Sequence, residues 1–290
     1  MSMTFIDLHT HSTASDGTDS PADLVRKAAQ AHLAVLALTD HDTLAGLDEA
    51  EEEAKQRNIV FVRGCEISTA TPWGEAHFLG LWIPEEPEKT ARLEAALEKV
   101  RMGRKERNLR IAEKLRALGL DVSYEAAEAL AGGAVVGRPH FAALLCSMGV
   151  VKDRREAFRQ YLGKDGLAYE PRRLMSPGEA VSLLKSTGAV VSMAHPRLLH
   201  APVEELNHLV AGLKEQGLDA LEAYHSEHDA GDVRLCVELA ARYDLQLSGG
   251  SDYHGLAKPN IGLGRGKGGL RVGLGVYDEL MRYRALQGGE

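Results

Sequence analysis

Phe5-Ile6-Asp7-Leu8-His9-Thr10-His11 joins a short apolar run to two histidines placed two residues apart. Alternate residues of an extended chain point to one side, so both imidazoles can converge on a single cation at the end of a strand. Further short runs rich in Val, Leu and Ile follow at Ala34 to Thr39, Ile59 to Val62, Ala189 to Ala194, Ala220 to Tyr224 and Leu245 to Ser248. Such runs read as fully buried strands. Helix-period segments lie between most of them, opened by start signals such as Ser20-Pro21 and Ser176-Pro177-Gly178-Glu179. Alternating units of this kind predict an α/β fold, with βα units around a parallel sheet or barrel.

The middle third interrupts the alternation. Glu88 to Leu118 reads as one long charged helix, followed by helices at Tyr124 to Leu130, Pro139 to Met148 and Arg154 to Tyr161 with no strand between them. This predicts a barrel built from residues 1–99 and 174–290 and an inserted helical, substrate-binding subdomain at 100–173, with Gly132-Gly133 and Pro171 as breakers. After Pro259 seven glycines between Gly262 and Gly275 predict an irregular tail.

Composition bounds the function. Lys plus Arg number 34 and Asp plus Glu 42, a formal charge of 34 − 42 = −8, which disfavours a duplex nucleic-acid binder. A few arginines in a cleft with metal ions still suit a small phosphorylated ligand. Cys65, Cys146 and Cys236 are widely spaced and form no CxxC, so neither a disulfide frame nor a thiolate zinc site is expected. No signal peptide, no bilayer-spanning run and no membrane partner are expected, and the location expected is cytoplasmic.

Histidines and carboxylates gather at the ends of the predicted strands, where βα folds assemble active sites. After His9 and His11 come Asp16, the Asp40-His41 pair, Glu66, His77 on a hairpin partner, His195, Glu222 with His225, and Asp252 with His254. Burying that many unpaired ionisable groups would cost several kcal/mol each. A metal cluster removes the objection. Nitrogen and carboxylate ligands without thiolate suit Mn, Zn, Fe or Ni, and nine ligands exceed the needs of one ion, so two or three are implied.

These residues resemble the PHP (polymerase and histidinol phosphatase) domain phosphoesterases, through His9-x-His11, Asp16, Asp40-His41, Glu66, His77, His195-Pro196 and Asp252-x-His254. The resemblance implies a distorted (β/α)7 barrel with a trinuclear centre. It implies that His9, His11, Glu66 and Asp252 hold a first ion, that Glu66 bridges to a second held by His77 and His195, and that Asp16, His41 and His254 hold a third. Some members carry a histidine where this chain has Asp16. The branch most similar in layout comprises 3',5'-nucleoside bisphosphate phosphatases and short-oligonucleotide 5' exonucleases. That likeness rests on Ser15-Asp16-Gly17-Thr18, Thr39-Asp40-His41-Asp42, Gly103-Arg104-x-x-Arg107 and Gly137-Arg138-Pro139-His140. It implies a phosphoric monoester hydrolase, using manganese first, with zinc or iron as alternatives, on a small nucleotide or a short single-stranded oligonucleotide.

On the substrate side, Arg104 and Arg107 share a helix face suited to gripping phosphate oxygens. Arg138 and His140 lie in the Gly137-Arg138-Pro139-His140 run at a helix start, where free N–H groups favour an anion. Arg197 and His225 directly follow strand ends. Glu66, Asp252 and His225 are the expected catalytic residues, and the leaving group takes its proton from water on the metal, from His225 or from His140. Competing readings are histidinol phosphate hydrolysis, C–N bond hydrolysis by a metallo-amidohydrolase, and a non-catalytic PHP module.

Overall fold

A computed structural model of the chain describes residues 5–132 and 135–288, so Gly133 of the expected breaker pair lies outside the described residues. Eight strands form one sheet: β1 (Phe5–Asp7), β2 (Val35–Leu38), β3 (Val60–Thr71), β4 (Gly74–Leu81), β5 (Val190–Ala194), β6 (Ala220–His225), β7 (Gln246–Gly250) and β8 (Val272–Gly273). Their order is β7-β6-β5-β4-β3-β2-β1-β8. Neighbours among β1, β2 and β3 are parallel, as are β5, β6 and β7, while β4 runs antiparallel to both β3 and β5. The reversal matters, because the start of an antiparallel strand lies at the same end as the finish of its parallel neighbours. His77, fourth in β4, therefore joins the strand-end histidines.

The ring nearly closes between β7 and β1. Leu8 N–H donates to the Gly249 carbonyl at 3.3 Å, and Asp252 N–H to that of His9 at 2.9 Å. A side chain at Gly250 would have its Cβ 2.4 Å from the His9 backbone nitrogen, so only glycine permits this approach.

Strand residues alternate between two apolar layers, as the pleat requires. Val35 and Ala37 of β2 pack with Ile6, Leu8, Val62 and Leu79, whereas Leu36 and Leu38 pack with Leu24 and Val25 of α1 (Pro21–Gln30) and with Leu47 and Ala50 of α2 (Leu47–Arg57). Both start signals hold: Ser20 accepts from Asp23 N–H, and Ser176 forms a reciprocal capping box with Glu179.

The contacts divide the chain into two compact units, residues 1–97 with 174–290 and residues 98–173. The division falls within α3 (Pro87–Ala117). The smaller unit continues through α4 (Tyr124–Ala131), α5 (Arg138–Ser147) and α6 (Arg154–Ala157). It has its own core around Ile111, Leu115, Phe141, Leu145 and Leu162. The single helix expected over 154–161 is instead one turn of α6 followed by a π-helical turn at Phe158–Leu162.

In the larger unit the remaining helices are α7 (Pro177–Lys185), α8 (Val203–Glu215), α9 (Ala230–Arg242) and α10 (Leu274–Leu286). The tail thus departs from expectation. Its last glycines fall within β8, paired antiparallel with Phe5 and Ile6, and within the first turn of the thirteen-residue α10, which buries Leu280. No helix among the described residues is long and apolar enough to cross a membrane.

Candidate metal centre

Loops at one end of the sheet bring all nine expected ligand side chains around the buried carboxylate of Glu66 on β3. Its Oε2 lies 3.3 Å from His9 Nε2, 3.2 Å from His11 Nε2 and 3.0 Å from His41 Nδ1. Its Oε1 lies 3.0 Å from His77 Nδ1 and 3.2 Å from His195 Nε2. Asp252 Oδ1 stands 3.3 Å from His11 Nε2 and 3.3 Å from His254 Nδ1. At the rim, half-exposed Asp16 reaches His254 Nε2 at 3.2 Å, His11 Nδ1 at 3.8 Å and His41 Nε2 at 3.9 Å.

Three sets of donor atoms lie within 4.8 Å of one another and could each hold an ion: His9, His11 and Glu66; His41, Glu66 and His77; and His11, Asp16, His41 and His254. In these sets His41 stands with Glu66 and His77, and His11 joins the rim set; His195 sits beside them on Glu66 Oε1. Asp42, His195 and Asp252 all hold positive φ, a costly backbone for residues with side chains and one that clusters at functional sites.

The donor atoms fit a cation better than one another. Nε2 of His9, both ring nitrogens of His11, Nδ1 of His41 and Oε2 of Glu66 are buried with no hydrogen-bond partner among the described residues, despite their proximity. Buried polar atoms normally find partners, so orphaned nitrogens and oxygens converging on shared points match the lone pairs of a metal-binding set. Ring orientation agrees. His9 Nδ1 donates to Glu222 at 3.0 Å, leaving the lone pair on Nε2 turned into the cluster. His254 Nδ1 donates to the Asp252 carbonyl at 2.9 Å, leaving Nε2 for Asp16's side.

His225 is oriented the other way. Its Nδ1 accepts from Glu227 N–H at 3.2 Å, so its proton sits on Nε2, 3.5 Å from Asp252 Oδ2.

Without an ion, burial works against every charge here, and neighbours decide the outcome. For His11 burial is outweighed by Asp252 and Glu66, which raise it to about 9. For His77 burial is likewise outweighed by Glu66, which raises it to about 10. His195 shares Glu66 Oε1 with His77 and is pushed down to about 4, by burial first. Glu66 and Asp252 stay well below the usual carboxylate range because the surrounding imidazoles overcome burial.

The expected substrate residues have these positions. Arg197, after β5, donates from Nε to Asp232 Oδ1 at 2.9 Å. Within the smaller unit, Arg107 is buried and donates to Asn108, Arg138 donates to the Leu162 carbonyl at 3.3 Å and lies over the Phe158 ring, and Arg104 stands on α3. His140 Nδ1 accepts from Gly137 N–H at 3.0 Å, capping α5.

One residue at the centre escaped sequence reasoning, and another was read only as a strand-end carboxylate. The latter, Glu222, orients His9 and also accepts His195 N–H at 2.8 Å. Lys258 places Nζ 2.6 Å from Asp252 Oδ2. No motif marks it, since it enters from the irregular segment after His254.

A family model for the PHP domain matches residues 7–166 of the chain, which takes in the strands and loops that carry His9 to His77. This chain belongs to the PHP domain family. It is 35% identical over 248 residues to a 5'-3' exoribonuclease of Haemophilus influenzae, covering 86% of this chain and 89% of that one. It is 34% identical over 256 residues to a 3',5'-nucleoside bisphosphate phosphatase of Chromobacterium violaceum, covering 87% and 88%. Among solved structures it resembles an inferred metal-dependent phosphoesterase of Bifidobacterium adolescentis, with a TM-score of 0.79 and 29% identity over 98% of this chain and 96% of that one. The chain is thus a PHP phosphoesterase of the metal-dependent kind, a hydrolase whose histidine and carboxylate clusters could bind metal.

Proposed function

We propose that the protein removes the 3'-phosphate from nucleoside 3',5'-bisphosphates, as in adenosine 3',5'-bisphosphate to AMP, with trimming of short oligonucleotides from the 5' end as a second activity of the same site. The observation that carries this reading is the likeness, over nearly the full chain, to relatives named for a nucleoside bisphosphate and for 5'-3' RNA degradation. A nucleotide phosphate ester is common to both.

In this reading His9, His11, Asp16, His41, Glu66, His77, His195, Asp252 and His254 hold two or three divalent ions, manganese first. Bound ions supply Lewis acidity, which lowers the pKa of water and neutralises developing phosphoryl charge. The chain's own residues do the rest. Glu222 keeps the His9 lone pair aimed inward. His225, with its proton on Nε2 beside Asp252, donates that proton to the leaving oxygen. Arg104, Arg107, Arg138, His140 and Arg197 are proposed as phosphate and nucleotide contacts, with the unit at 98–173 as the substrate-binding one; a cytoplasmic location completes the reading.

The test is phosphate release with Mn supplied, from adenosine 3',5'-bisphosphate, histidinol phosphate and a 5'-phosphorylated trinucleotide in parallel. Rapid loss of one phosphate from the bisphosphate, leaving 5'-AMP, is expected. Turnover of histidinol phosphate with silence on the bisphosphate would overturn the proposal.

A further inference from the structure

Three buried aspartates next to the centre, Asp7, Asp40 and Asp42, belong to none of the ligand sets, yet each grips one serine in the same way. In every case Oδ1 accepts the serine's backbone N–H and Oδ2 accepts its hydroxyl. Asp40 takes Ser12 N–H at 2.8 Å and the Ser12 hydroxyl. Asp7 takes Ser251 N–H at 2.8 Å and the Ser251 hydroxyl. Asp42 takes Ser68 N–H at 3.1 Å and the Ser68 hydroxyl at 3.3 Å.

The placement along the chain repeats as well. Each serine lies one or two residues from a candidate ligand: Ser12 follows His11, Ser68 is two beyond Glu66, and Ser251 precedes Asp252. Each aspartate does too, since Asp7 is two before His9 and Asp40 and Asp42 flank His41. Every clamp crosses one gap of the ring, from the loop after β7 to β1, from the loop after β1 to that after β2, and from the loop after β2 to β3.

A two-point grip on a backbone N–H and a hydroxyl fixes both distance and orientation, and a carboxylate accepting several donors is among the stronger neutral-pH hydrogen-bond arrangements. Asp7 carries further donors, His9 N–H at 3.3 Å and Gly264 N–H at 2.8 Å, which brings the glycine-rich tail into the same clamp. Asp40 likewise takes the Ser15 hydroxyl, beside Asp16.

We infer that Asp7, Asp40 and Asp42, with Ser251, Ser12 and Ser68, are positioning residues that stitch successive ligand loops into register before any ion binds. The inference rests on the metal-centre reading above. Partners just outside a ligand set tune affinity by holding the ligands in their coordinating poses, and losing one typically weakens metal binding about 10- to 100-fold.

The test compares Ser12→Ala, Ser68→Ala and Ser251→Ala with Ser192→Ala, which deletes an equally buried hydroxyl paired with Ser248 at 2.6 Å inside the barrel. Mn affinity is read from the electron paramagnetic resonance of the free ion, and the urea midpoint is read on chelator-treated protein. The clamp variants are expected to bind Mn about 10- to 100-fold more weakly than wild type, with midpoints no lower than that of Ser192→Ala, whose Mn affinity stays at the wild-type value. Wild-type Mn affinity in the clamp variants, or a loss matched by Ser192→Ala, would overturn the inference alone. A wild-type protein that binds no divalent ion would overturn the metal-centre reading itself. Should Ser12→Ala fail to fold, Ser68→Ala, which loses one of the longest of these bonds, carries the same comparison.

Discussion

Glu66 is the side chain on which the centre turns, because both its oxygens face imidazole nitrogens from five different histidines. Removing it takes away the one carboxylate that all five of those histidines face. Glu66→Ala is expected to lose bound metal and at least about 100-fold in phosphate release, since even outer partners cost 10- to 100-fold; a variant with full metal content by elemental analysis would refute the ligand role. Asp252→Ala should behave alike. His225→Asn separates a proton donor from a ligand. Metal content should stay at the wild-type level while kcat falls about 100-fold or more, the usual contribution of a positioned acid. Metal loss in that variant would make His225 a ligand instead.

Elements set how these side chains meet. The approach of β7 to β1 is so close at Gly250 that a methyl group there would sit inside the His9 backbone. Gly250→Ala must push apart the strands that carry His9 on one side and Asp252 and His254 on the other. Overpacking of this kind costs about 1–3 kcal/mol or more. A lowered urea midpoint together with weakened Mn binding is expected, and unchanged values for both would show that the closure is looser than it looks. The reversed strand β4 is the second such device. Because it runs against β3 and β5, a histidine near its start reaches Glu66 across the hairpin, where Ser68 and His77 face each other.

For the molecule as a whole, metal and protons compete for the same buried nitrogens. The neighbouring carboxylates hold His11 up at about 9 and His77 at about 10, against an ordinary 6.5. A raised folded-state value contributes stability that is fully present below about pH 6.5 and disappears as pH rises through 9 to 10. Chelator-treated protein is therefore expected to lose melting temperature between those limits. Ligation requires neutral imidazole, so the rise in melting temperature on adding Mn should grow over the same interval. With Mn at about 100 times its Kd, binding contributes about 2.7 kcal/mol. A Mn-induced shift that is flat with pH, or absent, would contradict this picture.

Strand-period runs and their polar ends were legible in the chain without any coordinates. Six of the eight strands follow from short runs of Val, Leu and Ile, a cation follows from the implausibility of burying so many ionisable groups without one, and the resemblance to the PHP family picks out the nine ligand candidates from His9 to His254. The hairpin position of His77 was legible too. What no local pattern carries is pairing across the ring. Glu222 orients His9 from 213 residues away, Lys258 reaches Asp252 from a segment without periodicity, and Asp7 grips Ser251 from 244 residues away. The tail's β8 and α10 were hidden for a related reason: a two-residue strand exists only because Phe5 and Ile6 offer it an edge, and α10 follows glycines that locally favour neither helix nor strand. Side-chain chemistry and its spacing are properties of the chain, so the metal-binding vocabulary could be read directly. The tautomer of each histidine and the serine each aspartate grips depend on neighbours distant in sequence, and those came into view only once the barrel had brought its strands together.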